Sequence, residues 1–427
     1  MKGILKKVYV IFFISYFVFF TSWFPGLSFF NNSNKVELND NVKLQAQAPD
    51  YWPTTGWRAS SPESQGVSPQ KLQEMEDYIV SENIGGYIDS LLIVRNGYLV
   101  YESYPSHIYD ANIRHHIFSC TKVFTSTLIG VALEEGYISG LDDYVLDYFP
   151  NRTFDNMDYR KEAITIKDLL TMTSGIAWTD QVDYYQMAFS YNWVQYVLDQ
   201  PMVHQPGEVW NYNTGGSHLL SAILDRETPN GTLDYAKTRI FDPLNITEYS
   251  WNLDRQGIPI GGTLLHLTPR DMAKFGFLYL NNGTWNGTQL IPASWVAEAT
   301  TSFIDVEFDQ SHGSGYGYQW WIYNWLNAYT ARGSNQQYIV VIPDLNLVVV
   351  STGNTEYQFI RLLVDFILPS AGFTPLNLVF VISLIVGTIS LSILLGFTFF
   401  HFKKKRTIKK LRKEFFEETD SNGETFQ

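Results

Sequence analysis

Cysteine is almost absent from this 427-residue chain: Cys120 stands alone. A single thiol excludes any intrachain disulfide and any zinc site built on paired cysteines. Positive charge is also scarce, with 30 Lys and Arg against 43 Asp and Glu. The net charge of −13 argues against nucleic acid as a partner. No Gly-rich phosphate loop precedes a helix, and no internal repeat or long low-complexity tract is present. The histidines His115, His116, His218, His266 and His312 are scattered and lack the helical ligand spacing of a metal site. Neither a metal nor an organic cofactor is expected. What remains is 45% hydrophobic and 17% charged, enough for one large globular domain or two small ones, with two long apolar stretches besides.

The first apolar stretch covers residues 8–24, behind Lys2, Lys6 and Lys7. That is the layout of a secretory signal or an uncleaved anchor. Gly26 and Ser28 are candidate small residues for cleavage, and both fates stay open. The second stretch, residues 376–402, carries no Asp, Glu, Lys or Arg and is long enough to span a bilayer. Lys403, Lys404, Lys405 and Arg406 follow at once, then Lys409, Lys410, Arg412 and Lys413. Positive charge marks the cytoplasmic side, so the tail is expected inside and the region between the stretches outside. The basic run reads as a stop-transfer flank or as a lipid-recognition site. The expected organisation is a signal peptide or signal anchor over 1–30 and a linker over 31–57. A folded domain covers 58–370, a transmembrane helix 376–402, and a basic cytoplasmic tail 403–427. N-x-S/T sites at Asn31, Asn151, Asn230, Asn245, Asn282 and Asn286 suit an exported surface.

Within the folded region the tetrad Ser119-Cys120-Thr121-Lys122 opens a strongly apolar run over residues 123–133. Gly136 fits the stop of that helix. A serine hydroxyl is a poor nucleophile until a base takes its proton. Residues three apart on a helix share a face, so Lys122 reaches the Ser119 hydroxyl. A helix apolar nearly all round is buried. Burial lowers a lysine pKa, which makes Lys122 a usable base. The plainer alternative is a Ser N-cap followed by a surface lysine. Cys120, one residue on from Ser119, points to another face and reads as a small buried apolar residue.

Two further segments carry chemistry. Pro206-Gly207-Glu208-Val209-Trp210-Asn211-Tyr212-Asn213-Thr214-Gly215-Gly216 is a turn, an aromatic pair and a Gly-rich bend ahead of an apolar helix. Residues 331–350 read as two β-runs joined by Pro343-Asp344-Leu345-Asn346, entered through a Gly-containing stretch.

With these three segments in this order the chain resembles the serine β-lactamase and penicillin-binding-protein superfamily, and is most similar to its class C-like esterases and 6-aminohexanoate-oligomer hydrolases. Ser119 and Lys122 match the S-x-x-K element. Tyr212-Asn213-Thr214 is similar to the Tyr-x-Asn element, with Thr214 where the Asn usually stands. Arg332-Gly333-Ser334-Asn335-Gln336-Gln337 replaces Lys/His-Thr-Gly and resembles the Gly-x-Gly-Gly-Gln form of the esterase-like branch. Residues 89–103, with Asn96-Gly97 as the turn, resemble the opening hairpin. Residues 164–178 resemble the helix and loop after the nucleophile, with Met172 where many relatives have His. Segments 259–280 and 315–321 also match, so the likeness spans about 61–368.

The resemblance implies an α/β (α+β), β-lactamase/transpeptidase-like fold: an antiparallel sheet flanked by helices, with a helical subdomain. It implies a serine hydrolase cleaving an ester or amide through a Ser119 acyl-enzyme, which the charge-flanked apolar stretches would make membrane-anchored and extracytoplasmic. Lys122 and Tyr212 would be the acid/base pair. The Tyr212 phenolate would be favoured by the lysine ammonium. Ser119, Gly333, Ser334 and Asn335 would supply the oxyanion hole and substrate contacts. Trp178, Tyr184, Tyr185, Trp210, Tyr316, Tyr318, Trp320 and Trp321 would be core and lid packing, or an apolar acyl pocket. The partners would be a small-molecule or oligomeric ester or amide and the membrane lipid bilayer. Two alternatives stand: a D-alanyl carboxypeptidase or β-lactamase on the same fold, and a non-catalytic membrane-anchored binding or scaffold protein.

Overall fold

The aliphatic runs at residues 88–95 and 347–353, far apart in the chain, are neighbours in one sheet. The computed structural model that shows this describes residues 49–306, 315–355, 359–373 and 403–409. Two compact units divide the chain, Met1–Trp52 and Pro53–Gln427, and the sheet with its helices belongs to the second. The stretches 8–24 and 376–402 lie outside the described residues. Among the described residues no helix is long and apolar enough to cross a membrane.

The sheet has seven strands. They are β1 Ile88–Arg95, β2 Tyr98–Ser103, β3 Gly315–Tyr316, β4 Trp321–Tyr323, β5 Ala328–Gly333, β6 Gln337–Ile342 and β7 Leu347–Gly353. Their order is β2-β1-β7-β6-β5-β4-β3, antiparallel throughout. The first hairpin turns where expected, with Asn96 at φ 52° and Gly97 at φ 83°. Those left-handed values are the ones a tight hairpin needs. The segment 331–350 requires a correction: its first residues end β5, so it contributes to three strands rather than two. The turn Ser334-Asn335-Gln336 separates β5 from β6.

Strands β6 and β7 are buried along their whole length, and β1 nearly so. That explains aliphatic runs in place of alternation. Helix α1 (Pro69–Ser81) and the helical segment 359–370 cover one face. There Leu72, Met75 and Ile79 meet Ile93, Val340, Val349, Leu362 and Ile367. Each such side chain contributes about 1.5–3 kcal/mol by leaving water.

Between β2 and β3 the chain builds the expected helical region. Among its helices are α2 (Thr121–Glu134), α3 (Asp180–Phe189), α4 (Trp193–Asp199), α5 (Thr214–Glu227) and α6 (Pro269–Leu280). Helix α6 packs on β6 and β7, and α5 packs against α2 and α4. Helix α2 is buried from Thr121 to Ala132. It stops where Gly136 predicts: the Gly136 and Tyr137 amides donate to Leu133 and Ala132, with Gly136 at φ 77°.

The pair Gly215-Gly216 departs from the expected bend. It is the first turn of α5, and Asn213 caps that helix through Gly216 N at 2.9 Å. Glycine is needed at 215 for packing, since a Cβ there would lie 2.7 Å from the Trp178 ring and 2.6 Å from Val197. The sequon asparagines Asn230, Asn245, Asn282 and Asn286 all take positive φ. Turn geometry is thus a sufficient reason for asparagine at these four positions.

Candidate active site

The nucleophile candidate is held by a long-range strand pairing on one side and a local helical turn on the other. His115–His116 pairs with Leu265–Leu267, and the Ile117 amide donates to the Leu265 carbonyl at 3.0 Å. Phe118 then turns the chain at φ 47° into the 3₁₀ turn Phe118–Cys120, and α2 begins at Thr121. Ser119 therefore lies two residues before the α-helix rather than within it. It is not a cap, because no side chain caps α2. The Lys122 ammonium instead donates to Ser119 Oγ at 3.1 Å.

Lys122 is buried, with 1% of its surface exposed. Its Nζ also donates to Thr214 Oγ1 at 3.0 Å and to the Gly262 carbonyl at 2.8 Å. Three acceptors match three ammonium protons. Burial pulls the Lys122 pKa down to about 8, while the charge of Asp180 pulls it upward. Asp180 itself accepts from Thr214 Oγ1 at 3.0 Å, Thr214 N at 2.9 Å and Trp178 Nε1 at 2.8 Å.

Tyr212 lies under the Lys122 ammonium, which is 4.8 Å from its ring centroid, and its phenol is in hydrogen-bond reach of Ser119. Two features weigh against the expected phenolate. Burial raises the phenol well above its ordinary range, and the nearby Asp180 charge adds to that. The ammonium meets the face of the ring, and both features favour the neutral phenol.

Gly333, the last residue of β5, presses on the nucleophile's backbone. A Cβ there would stand 2.6 Å from the Ile117 carbonyl and 3.1 Å from the Ser119 amide nitrogen. Ser334 and Asn335 lie on the turn beyond it, Ser334 exposed and Asn335 at φ 58°. The structure thus brings Ser119, Lys122, Tyr212 and Gly333 together. Cys120 faces away, fully buried, with its Sγ 3.4 Å from the Gln337 carbonyl and its thiol pKa raised by burial.

The aromatic candidates separate: Trp178 is buried and donates to Asp180, and Tyr184 packs against Trp193. Trp210, Tyr316 and Trp321 gather about Tyr212 and Met172, Trp321 stacking on Tyr212 at 6.1 Å. Tyr318 and Trp320 belong to the core, against Trp295 and Phe275 respectively. Tyr185 is exposed. His116 and His266 are not scattered in space: their rings stack at 5.1 Å. Among the described residues no cluster of His, Cys, Asp or Glu could hold a metal ion. Sequence reasoning missed Asp180 and Gly262. The usable signal for Asp180 was Thr214, whose shorter side chain needs a second group to anchor it.

The family model described as Beta-lactamase matches residues 81–364, well over half of the chain. The chain belongs to the beta-lactamase family. Protein flp of Staphylococcus aureus (strain COL) is 28% identical over 193 residues, which are 42% of this chain and 38% of that protein. This beta-lactamase-family chain therefore matches well under half the length of that curated relative. Among solved structures, a Bacillus anthracis protein described as a 6-aminohexanoate-dimer hydrolase superposes with a TM-score of 0.59 at 22% identity. It covers 74% of this chain and 87% of its own. EstCE1, a hydrolase with promiscuous acyltransferase activity, gives a TM-score of 0.58 at 16% identity, covering 70% and 95%. These structural likenesses establish the beta-lactamase-like fold, an antiparallel sheet with helices, and its membership supports a serine hydrolase.

Proposed function

We propose that this chain cleaves an ester or amide through an acyl-enzyme on Ser119. The observation that carries the reading is a buried lysine, its pKa lowered to about 8, donating to a serine on a 3₁₀ turn. In its neutral form Lys122 takes the Ser119 proton as Oγ bonds to the substrate carbonyl carbon. The carbonyl π electrons move to oxygen, where the Ser119 amide and the backbone beside Gly333 receive the charge. Collapse breaks the bond to the leaving group, which takes a proton from the Lys122–Tyr212 pair. Water then repeats the sequence on the acyl carbon, with the same pair as base, and frees the acid. The names of the two structural neighbours, a 6-aminohexanoate-dimer hydrolase and a hydrolase with promiscuous acyltransferase activity, are consistent with this substrate class.

The aromatic wall of Trp210, Tyr316 and Trp321 suits an apolar acyl or aryl group. A second reading, a β-lactamase or D-alanyl carboxypeptidase, is favoured by Arg332. Its guanidinium lies 5.9 Å from the Trp321 ring centroid, and its charge reaches Tyr212. A cation there suits a substrate carboxylate. The expected result is a kcat/KM for a short-chain aryl ester at least tenfold above that for a chromogenic cephalosporin. The reverse ranking would install the second reading.

The domain is proposed to face outward from a membrane with its basic tail inside, on the strength of the charge-flanked apolar stretches. Protease protection on intact cells, with tags after Gln427 and within 31–57, tests this. The tag after Gln427 is expected to survive, and its digestion from outside would reverse the orientation.

A further inference from the structure

We propose that Asp180, acting through Thr214, is a positioning residue that aims the lone pair of Lys122 at Ser119. This rests on the proposed role of Lys122 as the base. The argument is one of hydrogen-bond polarity. A carboxylate accepts and cannot donate. The Thr214 hydroxyl has one proton and gives it to Asp180 Oδ2 at 3.0 Å. Its oxygen can therefore meet Lys122, 3.0 Å away, only as an acceptor. The Gly262 carbonyl, 2.8 Å from Nζ, is an acceptor by nature. A neutral lysine has two N–H groups and one lone pair. Thr214 and Gly262 hold both protons, and the third direction, toward Ser119 Oγ at 3.1 Å, is left to the lone pair.

Asp180 is itself fixed. Trp178 Nε1 and Thr214 N both donate to its Oδ1, at 2.8 and 2.9 Å, at the start of α3. Without the carboxylate the Thr214 proton could turn toward Lys122 and engage the lone pair, and the base would then present an N–H to the nucleophile. The titratable and charged groups around Lys122 are Asp180 from α3, Tyr212 from the segment before α5, and Cys120 from the 3₁₀ turn that leads into α2. Arg332, from β5, acts on Tyr212. Asp180 is the nearby carboxylate whose charge raises the Lys122 pKa.

The test uses the purified full-length chain with an aryl ester. Asp180→Asn keeps the shape, but its amide can donate to Thr214. It is expected to lower kcat by about 100-fold with KM within about twofold, the scale of one acid–base contribution. Because Asp180 raises the lysine pKa, its neutralisation moves the acid limb of the kcat/KM profile to lower pH, by about one unit. Thr214→Val is expected to lose as much as Asp180→Asn, and the double variant no more than either. Thr214→Ser, which restores the hydroxyl, is expected to recover most of the loss seen in Thr214→Val. An Asp180→Asn enzyme with the wild-type kcat and acid limb overturns the inference, as does equal loss in Thr214→Ser and Thr214→Val. Intact mass of the wild type after ester treatment separates the two levels. No Ser119 adduct overturns the proposed function and this inference together. An adduct with an indifferent Asp180→Asn overturns the inference alone.

Discussion

Replacing Ser119 with alanine is expected to abolish acyl-enzyme formation and lower kcat on the order of 10⁶-fold, the scale for removing a serine nucleophile. The Ser119 hydroxyl is the acceptor of the buried Lys122 ammonium and lies in reach of the Tyr212 phenol. Thr214, the other hydroxyl on Lys122, is engaged with Asp180. Cys120→Ala is expected to keep most activity, because that thiol is buried and its pKa is raised. The check is intact mass after a fluorophosphonate probe, run beside ester turnover. A covalent adduct on Ser119→Ala would defeat the assignment. Exchanged phenotypes for the two variants would make the thiol the nucleophile.

The second large effect concerns Lys122 and Tyr212. Lys122→Ala and Tyr212→Phe are each expected to lower kcat by about 10²–10⁴-fold. The double variant should fall far short of the product, because both serve one proton network. Burial lowers the lysine pKa to about 8 and raises that of the phenol. The lysine is then the group that loses its proton in the working range. Activity should rise with pH through about 8 and then level off. Strict additivity, or a fully active Tyr212→Phe, would return Tyr212 to the core. A profile flat from pH 6 to 9 would remove Lys122 as the base.

The parts of this site that could be read from the sequence are those set by local spacing. Ser119 and Lys122 are three residues apart, and Asn96-Gly97 specifies its own turn. The body of α2 is largely apolar, with Thr125, Ser126 and Thr127 as its polar exceptions, and it is buried through Ala132. What could not be read depends on the path of the chain. Thr214 and Gly262 meet Lys122 from 92 and 140 residues away, and nothing in local pattern announces such a meeting. Charge states were similarly hidden. Proximity of Tyr212 to an ammonium suggested a phenolate, but whether the ring face or the oxygen meets the cation, and how dry the site is, are tertiary facts. The double role of glycine misled in another way. Gly215-Gly216 reads as a flexible bend, whereas the Trp178 ring leaves no room for a side chain at 215.

The pairing of β1 with β7 sets when this protein can become itself. Leu92 faces Val350, and Val94 faces Val348, so the first long strand to be synthesised waits for the last. Until β7 has been made, the edge of β1 away from β2 is unsatisfied. The helices between them are born in the interval. Strands β3 to β7 are sheet neighbours in chain order and can pair as they emerge, but their joining to the β1–β2 hairpin waits for β7, the kind of long-range pairing that folds slowly. A nascent chain halted near residue 333 would carry the serine, the lysine and the tyrosine, yet would lack β6 and β7, the strands that join β5 to β1.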